Sequence, residues 1–552
     1  MRGLRLLVVA ILLVLVPASA LRAQTDIDQT VRLAALGRVW GLLKYFHPDV
    51  TAGSVDWDAA LLAAIARVRA APTKAAFNEE LLRLVRAAGP EPRLPAGTSV
   101  DQPETDPTFA WLDDRTVFEP ATTQALKTIR RATVPLNSRY VRSVPGVGNP
   151  DFSGEAPWTG GALPDEAGRL LALFRFWNMV QYYFPHRDIT DRPWSRVLEE
   201  FIPGVAGATS PLSYHLAMAE LVARIDDSHG TFASSTFGNH FGVNLPGVRT
   251  RFIESQTVVT LVLPAYAGDT DVRVGDVITE IGGVPAGERR ARIARYIAHS
   301  NDGALQRVID QWILLTDAPT LTLGLSRGGS HRTVALRTVP ASQIVNAESA
   351  LAAQQPKWQI LGGNIGYVNM GLLLQADVPA MIEALRNTRA IVFDQRNYPN
   401  FTLYLIAQWL NPAAKNFVRF TAPDYRRPGT FVTVATLPAG PAAPQQDYYR
   451  GRVLVLADER TQSQAEFTIM ALRSAPDVVV VGSRTAGADG NVSLINLPGG
   501  IRTWFSGLGV FYADGTPTQR IGILPDVEVR PTILGIRNGV DEVLQRALTL
   551  VP

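Results

Sequence analysis

The sequence predicts an α/β core in its C-terminal part, preceded by a helical region and a β-rich module. Three patterns carry that prediction. Beyond about residue 358, short apolar runs (365–368, 390–393, 453–456, 478–481) alternate with helix-like segments (378–385, 403–409, 466–473), the order expected of strands and helices in layers. Between residues 241 and 340 the apolar runs are short and bounded by Gly, Asp and Asn, as in a β-rich module. Near the N-terminus a nine-residue stretch beginning at Arg32 recurs at Arg169 with Leu, Ala, Arg and Trp repeated in register.

The chain opens with Arg2 and Arg5, an apolar run over residues 6–16, and the small residues Ala18, Ser19 and Ala20. That is the layout of a secretory signal peptide over residues 1–23, cleaved after Ala20 or Ala23, with an apolar run too short to span a bilayer. Residues 24–163 are expected to hold the first helical repeat and an irregular, Pro-, Gly- and Thr-rich insertion (94–164). The repeat at an offset of 137 pairs Tyr45 with Tyr182, Pro48 with Pro185 and Trp57 with Trp194. Each copy reads as a helix with one apolar face, ended by proline, then a second helix. His47 and His186 near those helix ends read as packing residues, because no cluster with metal-ligand spacing accompanies them.

Residues 164–238 form a helical cap closing on Asp226-Asp227-Ser228-His229, residues 239–340 the β-rich module, and residues 341–552 the α/β core. In the core, Ser463 lies between the apolar run 453–457 and the helix-like segment that follows. A serine there presents its hydroxyl beside the N–H groups of a helix start, the mounting of a nucleophile, although the same position suits an ordinary N-cap. A nucleophilic serine needs a neutral imidazole to take its proton and a partner to orient that imidazole; His229 offers the base and Ser228 an orienting hydroxyl.

With these residues the sequence resembles the carboxy-terminal-processing, or tail-specific, serine peptidases, and within them the tricorn-like branch. The resemblance covers roughly residue 164 to the C-terminus. It rests on Ser463 to Glu466 as Ser-x-x-Glu, on Gly482 to Gly487 as Gly-x-x-Thr-x-Gly, and on Gly522-Ile523-Leu524-Pro525-Asp526. It implies a crotonase/ClpP-like sheet in the core. The larger branch of the family uses a lysine base after the nucleophile helix; here that position matches Ala488, and no lysine follows Ser463. The resemblance therefore implies a Ser/His enzyme: Ser463 as nucleophile, His229 as base, Ser228 as orienter, and no metal or organic cofactor.

Two positions depart from the family pattern. A glutamate that would bond the orienting serine is replaced by Gln519, which brings no negative charge. In the strand-end motif beginning Asp394-Gln395-Arg396, both glycines are replaced, by Asn400 and Phe401. The expected oxyanion donors are the backbone N–H groups of Gln464 and Asn400, since Asn tolerates positive φ better than most residues. Such departures would also suit a catalytically silent homologue binding peptides or small apolar ligands in the same cleft. The stretch around residues 272–284 resembles the strand-turn-strand core of a PDZ domain, which implies capture of a peptide's C-terminal carboxylate; residues 239–242 (Asn-His-Phe-Gly) are the nearest candidate for the carboxylate loop.

Composition narrows the partners. The chain carries 53 Lys+Arg and 50 Asp+Glu, and Arg2, Arg5 and Arg22 of the export signal account for the excess. No nucleic-acid partner follows from such a balance. The absence of cysteine excludes disulfides and a lipid-modified cysteine. No run after residue 23 reaches transmembrane length, and the hydrophobic content of 46% is enough for sizeable cores.

Overall fold

The structure is a computed structural model that describes residues 27–94, 105–136, 138–268 and 270–552; the expected signal peptide lies outside them. Among the described residues no helix is long and apolar enough to cross a membrane.

The repeat folds as two matched helix pairs. Helices Gln29–Phe46 and Glu166–Tyr183 are each 18 residues long, and each is followed by a partner, Trp57–Ala70 or Trp194–Ala206. Each pair is locked by reciprocal bonds in which two tryptophans donate to each other's carbonyl. Trp40 and Trp57 are joined at 2.9 and 3.0 Å, and Trp177 and Trp194 both ways at 3.0 Å. The two long helices are buried on nearly every side rather than on one face, because they pack on each other at the centre of the largest core. Their approach is set by unequal residues at equivalent repeat positions. Gly37 faces Phe174 and Gly41 faces Asn178; a Cβ on Gly41 would lie 1.8 Å from Asn178 Oδ1, and Asn178 Nδ2 donates to the Gly37 carbonyl at 3.0 Å. Within the expected irregular insertion the described residues include a helix, Pro120–Arg131, with proline in its first turn, where a missing N–H costs nothing.

The β-rich module is an antiparallel sheet in the order Asn244–Pro246, Ser330–Pro340, Thr320–Arg327, Val277–Ile281, Gln256–Val262, Val248–Ile253. Helices Ala286–Ala294 and Asp302–Trp312 pack beside it. A further helix, Ala341–Ala353, inserts Ile344 into the same hydrophobic cluster, so this module extends past residue 340. Residues 239–242 do not form an open carboxylate loop. They end the helix Ser235–Phe241, and Gly242, at φ +97°, sits against the Thr316 backbone.

The core sheet runs Trp358–Leu361, Ile365–Asn369, Ala390–Asp394, Arg452–Ala457, Val478–Gly482, Val527–Glu528. All neighbours are parallel except the first pair. The central strands Ala390–Asp394 and Arg452–Ala457 are almost wholly buried, which is why they read as unbroken apolar runs. Beyond the expected α/β order, antiparallel strands Lys415–Pro423 and Phe431–Ala439, with Gly509–Tyr512, form a second layer. The hairpin Val492–Leu497 and Ile501–Ser506 takes Phe232–Ala233 as its third strand. That pairing brings the end of the helical cap to the core.

Candidate active site

Ser463 follows the strand Arg452–Ala457 and opens the helix Gln464–Leu472 with φ +59° and ψ −125°. An ordinary N-cap sits in extended backbone; a non-glycine residue at this φ is strained and needs its surroundings to hold it. Glu466 does much of that. Its buried carboxylate accepts from Ser463 N–H (3.1 Å), Gly487 N–H (2.8 Å), Ala488 N–H (3.1 Å) and the Thr485 hydroxyl, while Ser463 N–H also reaches the Ala488 carbonyl at 2.9 Å. The Ser-x-x-Glu spacing therefore ties the Ser463 turn to the loop 485–488. Burial pushes the Glu466 carboxyl up to about 7 in spite of these donors.

His229 is brought to the same place by loop-to-loop bonds. Gln462 Nε2 donates to the Ser228 carbonyl at 3.2 Å, and Arg307 holds the Gln462 side chain. The expected role of Ser228 is not what the structure has. Its hydroxyl donates to the Ala486 carbonyl (3.2 Å) and accepts Ser300 N–H (2.9 Å), fastening the His229 turn to the β-rich module and the core loop. The imidazole partner is Ser506: His229 Nδ1 and Ser506 Oγ lie 2.8 Å apart, and Ser506 Oγ lies 3.0 Å from Asp227 Oδ1. Asp227 is fully buried and also accepts Ser506 N–H (2.7 Å), His229 N–H (3.1 Å) and Gln519 Nε2 (3.0 Å).

This chain settles the tautomer. An ionised carboxylate only accepts, so the single Ser506 proton goes to Asp227. Ser506 oxygen is then left to accept from His229, which places the imidazole proton on Nδ1 and the lone pair on Nε2. Among the described residues Nε2 has no hydrogen-bond partner, and it is not among the buried unpaired atoms, so it keeps some accessible surface. Burial lowers the His229 pKa below its ordinary value, with Asp227 acting the other way and Arg307 adding to the lowering, so the imidazole is neutral and able to accept a proton.

Gln519 likewise has a partner other than the expected one. It does not touch Ser228; its amide donates to Asp227. The negative charge that Gln519 cannot bring is supplied by Asp227, with Gln519 as one of its donors. Asp227 lay within the quoted tetrad, but no local pattern linked it to Ser506, 279 residues away.

The positive φ expected at Asn400 falls one residue later. Asn400 is not at positive φ; Phe401 is, at +58°. The Asn400 side chain pins the turn by donating to the Gly371 (2.9 Å) and Leu373 (3.2 Å) carbonyls. The N–H groups of Phe401 and Gln464 find no acceptor among the described residues. Ser463, Gln464 and Phe401 all line one cavity of about 670 Å³ with aromatic walls, and no lysine lines it. Ala488, at the lysine position of the larger branch, is buried. His229 is not part of that cavity's wall.

Residues 364–529 match the family model of peptidase family S41. The structure is similar to that of mature CPAF complexed with lactacystin, with a TM-score of 0.54 and 15% identity over 70% of this chain and 98% of that one. A second crystal structure of mature CPAF has the same TM-score and identity over 70% and 97%. The photosystem II D1 C-terminal processing protease is also similar, with a TM-score of 0.40 and 16% identity over 70% and 97%. No curated protein matches the chain in sequence. The CPAF likenesses carry the fold over most of the chain, and the family match spans the segments that hold Ser463 and Ser506. Over residues 364–529 the α/β core is thus similar to peptidase family S41, a family of serine peptidases.

Proposed function

We propose that the chain hydrolyses peptide bonds with Ser463 as nucleophile and His229 as general base. Ser463 Oγ bonds to the scissile carbonyl carbon as its proton passes to His229 Nε2, and the carbonyl electron pair moves onto oxygen. The N–H groups of Gln464 and Phe401 hold that oxyanion. Collapse of the tetrahedral species breaks the C–N bond, and the departing amine takes the proton from Nε2. Water then repeats the sequence to free Ser463. Through Ser506, Asp227 holds the tautomer and stabilises the imidazolium that forms in each half.

The observation that carries this reading is the buried series His229, Ser506, Asp227, Gln519. It fixes an imidazole so that its free nitrogen faces outward, beside the segment that bears a strained serine. In the free protein no hydrogen bond joins His229 Nε2 to Ser463 Oγ; such contacts commonly tighten only when substrate binds. The substrate is a peptide or protein, met outside the cytoplasm once residues 1–23 are removed; N-terminal sequencing of exported protein checks that removal.

The test is labelling of the purified protein by a fluorophosphonate. Labelling lost in both Ser463→Ala and His229→Ala supports the assignment. A folded wild-type protein that does not react would instead favour the silent, peptide-binding homologue.

A further inference from the structure

The cavity beside Ser463 has one polar anomaly. Its wall is built mainly from aromatic and aliphatic side chains, with Tyr398, Phe401, Tyr404, Phe420 and Phe467 supplying five rings. Set in that wall is Asp489, 5% exposed. One of its oxygens accepts Gly490 N–H at 2.7 Å; the other, Oδ2, is buried with no hydrogen-bond partner among the described residues. Gln464 Nε2, in the same wall, is likewise buried and unpartnered. No Lys, Arg or His lines the cavity. A buried polar atom left unpaired costs about 1–3 kcal/mol, so two such atoms on residues of one cavity wall point to a ligand group that completes them.

The position in the reaction follows from which residues share the cavity. Ser463 and the candidate oxyanion donors line it and His229 does not. Because His229 hands its proton to the departing amine, the leaving side of the substrate lies toward His229. The aromatic cavity then lies on the acyl side.

We propose that this cavity receives the side chain on the acyl side of the scissile bond, and that Asp489 selects a cationic one, with an apolar stem against the rings and a guanidinium or ammonium head at Oδ2. The proposal rests on the reading of Ser463 as nucleophile. Ring faces attract cations, and the Gln464 amide turns its oxygen toward the head as a second acceptor. Burial and the neighbouring Glu466 push the empty Asp489 carboxyl up. An arriving cation supplies the counter-charge that lets it ionise.

Binding of benzamidine, a planar aromatic cation, tests the proposal without requiring turnover, with benzyl alcohol as the neutral control and both measured by calorimetry. The expected result is that Asp489→Asn weakens benzamidine at least about tenfold, the loss of a charge-assisted contact, and leaves benzyl alcohol unchanged. Benzamidine should also protect Ser463 from fluorophosphonate labelling. Equal benzamidine affinity in wild type and Asp489→Asn, or none in either, overturns the proposal. Should Asp489→Asn not fold, a wild-type preference for benzyl alcohol over benzamidine overturns it equally. Fluorophosphonate labelling of the wild type that benzamidine does not affect leaves the peptidase reading standing and removes the cation site alone.

Discussion

Replacing Asp227 by Asn tests the relay most directly, because it keeps the shape and removes the charge. The carboxylate receives four donors at 2.7–3.1 Å. An amide can accept with only one of its two ends, so its NH₂ must face a former donor. Its oxygen stays where the Ser506 hydroxyl, His229 N–H and Gln519 converge, so the NH₂ meets Ser506 N–H and pushes the end of that strand, with its hydroxyl, away from the ring. A second loss is electrostatic. Two hydrogen bonds of 2.8 and 3.0 Å in series put the carboxylate at most about 6 Å from the ring, where a charge pair at an effective dielectric of about 20 is worth roughly 3 kcal/mol. That figure corresponds to about a hundredfold in rate, and the displacement of Ser506 adds to it. The assay is the second-order rate of fluorophosphonate labelling for wild type, Asp227→Asn and Ser506→Ala, each with its thermal unfolding midpoint. A folded Asp227→Asn protein that labels within about threefold of wild type would refute the relay, since such a change is well under 1 kcal/mol.

Gln519→Glu sets a second carboxylate against Asp227, and two such groups in contact cannot both stay ionised. Labelling should slow by about tenfold; a faster rate would show that position 519, not Asp227, carries the relay charge. Burial lowers the His229 pKa, so the base is neutral above, and protonated only below, a midpoint under the ordinary value of about 6.5. Activity should therefore fall only as pH drops through that lower value. NMR titration of the imidazole, assigned with His229→Gln, checks this; a midpoint at or above the ordinary value contradicts it, and Asp227→Asn should lower it further, since Asp227 acts to raise it. Gly41→Ala would drive a methyl into Asn178 and should cost about 1–3 kcal/mol, read from denaturant unfolding; an unchanged midpoint would mean the two repeat helices separate easily.

Much of the architecture was legible because it is written in local periodicity. The core strands appear as unbroken apolar runs because both faces of a parallel sheet are covered, and the repeat appears because each copy keeps the tryptophans that bond each other. The helix Pro120–Arg131 was missed because its flanks are rich in Pro and Thr, whereas a helix needs only a proline-tolerant first turn. The antiparallel layer of Lys415–Pro423 and Phe431–Ala439 was missed because buried and exposed residues do not alternate regularly along it, and register shifts interrupt its ladder.

Within the site, Ser463 and His229 were each legible from a few adjacent residues. A strand-to-helix turn and a Ser-x-x-Glu spacing are local, and so is a histidine closing a helical cap. The identity of the imidazole's partner was not. Sequence adjacency suggested Ser228, but a side chain next to His229 in the chain leaves the turn in another direction. Ser506 reaches the ring only because Phe232–Ala233 joins the strand Ile501–Ser506. Asp227, two residues from His229, becomes a relay only when that strand delivers a hydroxyl between them. The sequence by itself thus pointed to the family and to Ser463 and His229 as the candidate nucleophile and base. Only the tertiary structure decided the Asp227 and Ser506 relay, the φ of Phe401 and the unpartnered Asp489, because each depends on which distant segments burial brings into hydrogen-bond range.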